Sequence, residues 1–256
     1  MYTPYIGITD FLNYDQVKKM LAVFKSNQQP GSVRKLHVGV MTSYKILHEI
    51  QTKWSKAFPS KESIASIFCS DDVYNCLHYA DYDNHTCVWK DLSQAISYGG
   101  LGINALQLDM IWPDPWDISE GVKSSGKKIE VILQVGKKAI EEADDDPDVV
   151  VQWLRRYNGV IDRVLLDMSM GRGVGMNAAS LLPFARAIAD RLPEIGLVVA
   201  GGLGPNTIGL VESLVQEFPD ISIDAQGKLR PSGSALDPID WGFAEKYLVE
   251  AIKILK

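Results

Sequence analysis

Aspartates recur in this sequence at the ends of short apolar runs. Arg163-Val164-Leu165-Leu166 ends abruptly at Asp167, and Ala105-Leu106-Gln107-Leu108 ends at Asp109. Asp10, Asp81, Asp83 and Asp224 close or follow similar runs, and Gln134 lies near the end of another. Carboxylates gathered at one mouth can divide general acid and general base roles, or hold a hard cation. If these runs are strands, side-chain alternation puts Gln107 and Asp109 on one face and Asp167 on the face of Leu165. Each aspartate could instead cap the turn that follows it. Asp167 and Asp109 are the candidate catalytic pair, because burial that raises one pKa above the other separates acid from base.

Glycines follow the last three runs. The first segment, 168–175, carries Gly171, Arg172, Gly173 and Gly175; the second is Gly201-Gly202-Leu203-Gly204-Pro205. The third runs from Gly227 through Arg230 to Ser232 and Gly233. Glycine lets backbone approach an anion closely, and a helix N-terminus offers free N–H groups at its positive end. Ordinary tight turns also use glycine, but three such loops in succession predict a phosphate site. Its candidate contacts are Gly173, Gly175, Gly201, Gly202, Gly204, Gly227, Ser232 and Gly233. Trp112 and Arg172 are the candidate walls of the adjoining substrate pocket, Trp112 by stacking and Arg172 by reaching a phosphate.

The elements that must position these groups alternate. Strands are expected over 5–9, 35–41, 77–82, 104–109, 129–135, 163–167, 197–200 and 221–224. Helical patterns are clearest over 13–26, 44–58, 147–157, 177–192, 205–217 and 238–255. Strand–helix alternation implies a parallel sheet, and eight such units in 256 residues predict one (β/α)8 TIM barrel, of the α/β class, over residues 1–256. A doubly wound open sheet is the competing arrangement. Its first strand should feed a GxGxxG turn, whereas 5–9 runs into Asp10, Phe11 and Leu12. Segment 59–75 is too irregular to assign.

Composition narrows the function classes. Lys and Arg number 26 against 32 Asp and Glu, a net charge of −6, which argues against nucleic-acid and anionic-membrane partners. No apolar run approaches the ~20 residues of a membrane span, and 1–20 lacks a signal-peptide core. Three cysteines argue against a disulfide framework, so a soluble cytoplasmic protein is expected.

With these residues in order, the chain resembles the phosphoribosylanthranilate isomerase family of barrel enzymes. Gly7-Ile8-Thr9 resembles that family's "KICGIT" strand, and 104–109 its "DAVQLHG" strand. Leu165-Leu166-Asp167 with the 171–175 loop resembles "LLDS…GGTG", and 200–206 resembles "LAGGLTPENV". Segment 222–238 resembles a degenerate "VDVSSGVE…PGVKDP". The resemblance implies an Amadori rearrangement of a phosphoribosyl amine, with Asp167 as general acid. It also marks three departures. The family's first-strand cysteine base is Ile6 here, its "QLHG" histidine is Asp109, and its arginine after the second strand falls in Thr42-Ser43-Tyr44-Lys45. Asp109, Asp10 and Asp81 are candidate replacements for the base.

One further constellation has ligand chemistry. Cys76, His78, His85 and Cys87 mirror one another about 81–83 and would form a tetrahedral site if the segment were a hairpin. Their spacing fits no common zinc pattern and the segment reads as a parallel strand, so no metal and no cofactor is expected. His37 and His48 receive no role. The expected function is an isomerase-like barrel binding a phosphorylated sugar. The alternatives are an inactive phosphometabolite-binding protein and a metal-dependent lyase or hydrolase using the acidic mouth.

Overall fold

A computed structural model describes residues 2–83, 85–167, 178–234 and 236–255. Eight parallel strands close into a barrel in sequence order. They are β1 (Tyr5–Thr9), β2 (Lys35–Ser43), β3 (Tyr74–Ala80), β4 (Ala105–Asp109), β5 (Glu130–Gly136), β6 (Arg163–Asp167), β7 (Gly196–Ala200) and β8 (Ser222–Ala225). The seam is made by β1 and β8, with Ile6 opposite Ile223.

The period-2 alternation sorts each strand into two layers. Ile6, Ile8, Val38, Leu106, Leu133 and Leu166 belong to the large outer core beneath the helices. The opposite parity builds a smaller inner cluster of Tyr5, Tyr74, Cys76, Ala105, Ile132, Leu165 and Val198. Below that cluster, at the N-terminal end, Arg163 acts as a plug. It is 1% exposed, bonds Glu130 at 2.7 Å and the Thr3 carbonyl at 3.0 Å, and lies over the rings of Tyr2, Tyr5 and Tyr74.

Helices pack around this barrel where local signals favour them. They are α1 (Tyr14–Asn27), α2 (Tyr44–Leu47), α3 (Ile64–Ile67), α4 (Val88–Tyr98), α5 (Pro115–Ser125), α6 (Lys137–Glu142), α7 (Pro147–Leu154), α8 (Ala178–Arg191), α9 (Glu212–Glu217) and α10 (Trp241–Ile254). Asn13 and Gln16 form a reciprocal capping box on α1. Asp114 and Asp146 cap α5 and α7, each just before a proline in the first turn.

Two helical expectations are corrected. Instead of one helix over 44–58, α2 stops within four residues, Glu49 turns left-handed (φ 58°), and Thr52 recaps a short 3-10 turn. Instead of a helix from 205, the Thr207 hydroxyl donates to the Gly202 carbonyl at 2.7 Å. That bond closes a turn, and a 3-10 segment (Ile208–Val211) precedes α9. Among the described residues, no helix is long and apolar enough to cross a membrane.

Candidate active site

The inward parity of the strands ends at the C-terminal mouth in a polar ring. A chamber of about 50 Å³ is lined by Thr9 of β1, His78 of β3, Gln107 and Asp109 of β4, Asp167 of β6 and Asp224 of β8. It opens into a cleft of about 880 Å³ walled by Tyr44, Trp54, Phe58 and Tyr82, with Lys45, Lys53 and Lys138 on its rim. Met41, Asp109, Gln134, Asp167 and Gln226 line both spaces. A cleft of this size suits a small organic ligand, and the chamber below it admits a small polar group.

Asp109 and Asp167 therefore meet at one chamber, as their strand-end positions imply. Burial raises the Asp109 carboxyl to about 7, the negative charges of Asp167 and Asp10 add to the rise, and a hydrogen bond from Gln107 opposes it. That bond, from Gln107 Nε2 to Asp109 Oδ1, is 2.9 Å. Gln107 Oε1 is buried and has no hydrogen-bond partner among the described residues, which leaves an acceptor beside the chamber. Asp224, which carries no role in the sequence reading beyond its strand-end position, is the third carboxyl here. Burial raises it to about 7, against hydrogen bonds from the Thr9 hydroxyl (2.8 Å) and the Ala225 N–H (3.0 Å).

The other strand-end aspartates are engaged. Asp10 accepts from Arg230 at 2.5 Å and from Gln226 at 3.1 Å, and both members of the ion pair are buried. Asp81 holds His85 Nδ1 at 2.8 Å and accepts from the Asp83 N–H. Neither is placed as a free base.

Of the glycines, Gly201, Gly202 and Gly227 line the chamber. Gly201 and Gly202 have positive φ (112° and 65°), a conformation that needs glycine. Gly204 serves packing: a Cβ there would lie 2.8 Å from the Lys228 carbonyl oxygen. Ser232 and Gly233 sit in a turn in which Ser232 Oγ accepts from the Ser234 N–H. Gly173, Gly175 and Arg172 lie outside the described residues. Trp112 turns away from the chamber, donating Nε1–H to the Ala139 carbonyl at 3.0 Å and meeting the Trp153 ring edge-on.

Beneath the chamber floor lies a group the spacing of cysteines and histidines only half revealed. Cys76 and His78 face the barrel interior as expected of a parallel strand. Cys87 is exposed and His85 pairs with Asp81. The partner that joins Cys76 and His78 is His37 of β2. Ligand atoms of these three side chains lie within 4.8 Å of one another, and all three residues are buried. Among the described residues this is the one group of three or more with metal-ligand geometry; the mouth aspartates do not form another. The missed signal is parity: His37, like Asp109, lies on the inward face of its strand.

Parity also sorts the residues of β1. Ile6 packs in the outer core, and Gly7 takes the inward position, where a Cβ would lie 2.5 Å from Asp224 Oδ1. No family model matches the chain, and no curated protein matches it.

Proposed function

We propose that this chain is a sugar-phosphate isomerase of the Amadori or aldose–ketose type, diverged from a phosphoribosylanthranilate isomerase-like barrel. The observation that carries the reading is a buried carboxyl at the mouth, Asp109, raised to about 7 and coupled to the charge of Asp167. A carboxylate at that value is roughly a thousandfold better as a proton acceptor than one at 3.8, while still substantially ionised near neutrality. In this mechanism the two carboxyls share one proton: in the form with Asp109 ionised, Asp167 holds that proton and donates it to the furanose ring oxygen as the ring opens to a Schiff base. Asp109 then removes the C2 proton to give the enol form, which collapses to the ketose. Gly201, Gly202 and Gly227 supply close backbone approach for the phosphate, and the aromatic cleft takes the rest of the substrate.

A thermal-shift titration with inorganic phosphate, ribose 5-phosphate and the reduced analogue of the isomerase product tests this. A ligand at 100 times its Kd adds ~2.7 kcal/mol of stability. A shift with the aromatic analogue well beyond that with phosphate supports the isomerase pocket. A shift with phosphate alone leaves only the anion site, and no shift with any of the three rejects both.

A second reading, a phosphometabolite-binding protein without turnover, is favoured by one observation. β1 brings no acid or base to the mouth, since its inward residues there are Gly7 and Thr9. That reading requires Asp167→Asn to retain full ligand affinity, with no turnover in either protein.

A further inference from the structure

We infer that His37, Cys76 and His78 form a binding site for a divalent transition ion of the zinc class, set in the inner layer of the barrel directly under the mouth chamber. Three observations converge on it.

The first is spacing. His37 Nε2 and His78 Nε2 are 3.4 Å apart. Two nitrogens bound to one zinc at 2.0–2.1 Å with tetrahedral angles sit roughly 3.3–3.4 Å apart. In the metal-free chain the same two nitrogens are within reach of a long hydrogen bond. The Cys76 sulfur completes a triangle within 4.8 Å, and its nearest acceptor contact, the Leu77 carbonyl, is 4.0 Å away. Its other polar contact is the Gln107 backbone N–H, which donates to the sulfur and so favours the thiolate.

The second is the outer partner of His37. With Nε2 on the metal, the ring proton must sit on Nδ1, a buried atom with no hydrogen-bond partner among the described residues. Asp224 Oδ1 lies 3.7 Å from it and is itself fixed by the Thr9 hydroxyl and the Ala225 N–H. A carboxylate behind a ligating imidazole is the usual arrangement that sets tautomer and ring orientation.

The third is room made for these side chains at the expense of the ordinary barrel filling. Gly7 and Gly39 occupy inward positions on β1 and β2 where branched aliphatics usually pack. A Cβ on Gly39 would lie 3.0 Å from His78 Nε2, and one on Gly7 2.9 Å from His37 Nδ1. The Tyr5 ring closes the underside, stacked on His37 at 4.6 Å.

Two imidazoles and a thiolate select zinc or a similar borderline ion over magnesium or calcium. Binding converts the Cys76 thiol to thiolate and releases one proton per ion. Three protein ligands leave a fourth position. His78 and Asp224 both border the chamber, so that position is open to a water or a substrate oxygen arriving from the mouth.

The test uses the full chain stripped with a chelator and then titrated with Zn²⁺ or Co²⁺, with no substrate present. One ion should bind per chain, and the Co²⁺ form should show a thiolate-to-metal charge-transfer band with the visible spectrum of a tetrahedral site. Cys76→Ser should abolish that band. His37→Gln should weaken Zn²⁺ binding at least 100-fold, and Asp224→Asn should weaken it 10- to 100-fold. Cys69→Ser and Cys87→Ser, which change exposed thiols, should leave band and stoichiometry unchanged. Circular dichroism of each metal-free variant checks folding, and the wild-type Co²⁺ spectrum stands without any variant. Absence of stoichiometric binding overturns the proposal, as does a Co²⁺ spectrum without the thiolate band or a band that survives Cys76→Ser.

Discussion

Replacing Asp109 with asparagine should stabilise the fold at pH 8 and leave it almost unchanged at pH 4. The Asp109 carboxyl stands at about 7 in the folded chain against an ordinary 3.8. The folded state therefore holds this proton more tightly than the unfolded chain does, and the stability it contributes is present below about 4 and lost as pH rises to about 7. A difference of about 3 units corresponds to about 4 kcal/mol of ionisation penalty carried by the fold above neutrality. Asparagine matches the shape of the protonated acid, keeps an oxygen to accept from Gln107 Nε2, and cannot ionise. Asp224 rises through the same window and remains in the variant, so both proteins lose stability with pH. The difference between them reports Asp109 together with its repulsion of Asp224, which the substitution also relieves. Urea denaturation at pH 4, 6 and 8 reads it directly: the gap should open from near zero to as much as ~4 kcal/mol, equivalent to ~8–16 °C in Tm. An offset that does not change with pH, or a variant less stable than wild type at pH 8, refutes the reasoning. On the proposed isomerase reading the same substitution should abolish turnover, a trade of activity for stability.

Three other outcomes follow from the packing. Arg230→Met strands the Asp10 carboxylate, buried with its partner at 2.5 Å. It should cost about 3–5 kcal/mol in denaturant titrations, most of it restored by adding Asp10→Asn. Gly39→Ala drives a Cβ to 2.3 Å from Thr9 Oγ1 and should lower stability by at least ~1–3 kcal/mol, visible as a drop in the urea midpoint. Trp112→Phe removes one hydrogen bond to Ala139 and should cost ~1 kcal/mol, while ligand-induced thermal shifts stay unchanged because the ring faces away from the chamber.

What the sequence discloses and withholds follows the physics of each signal. β1 and β6 are readable to the residue, because apolar alternation with a sharp polar stop is a local pattern. β3 starts at Tyr74, earlier than the expected 77, because Asn75, a polar residue whose side chain donates to the Ser70 and Gly102 carbonyls, interrupts the apolar run. The helix expected over 44–58 fails for a local reason that propensity does not register, the left-handed turn at Glu49. Asp109 and Asp167 emerge from strand-end logic alone. The His37–Cys76–His78 group does not, since its members come from two strands and meet only through barrel register, with Gly39 opposite Cys76 and Met41 opposite His78. Trp112 misleads because an aromatic after a strand can turn toward the mouth or toward the helices, and only tertiary packing decides.

The two inward glycines bind the history of this barrel to its histidines. Gly7 and Gly39 leave a hollow that His37 and His78 occupy with Asp224 close by. A larger residue at either glycine collides with that polar group, and a smaller residue at either histidine opens a void lined by a buried carboxyl. Single steps toward the aliphatic filling of an ordinary barrel therefore pass through less fit intermediates. These positions can change together far more readily than singly. Among descendants of this chain, Gly7, Gly39, His37, His78 and Asp224 should persist or vanish as a set, a pattern of linked inheritance that a purely structural filling of the barrel would not impose.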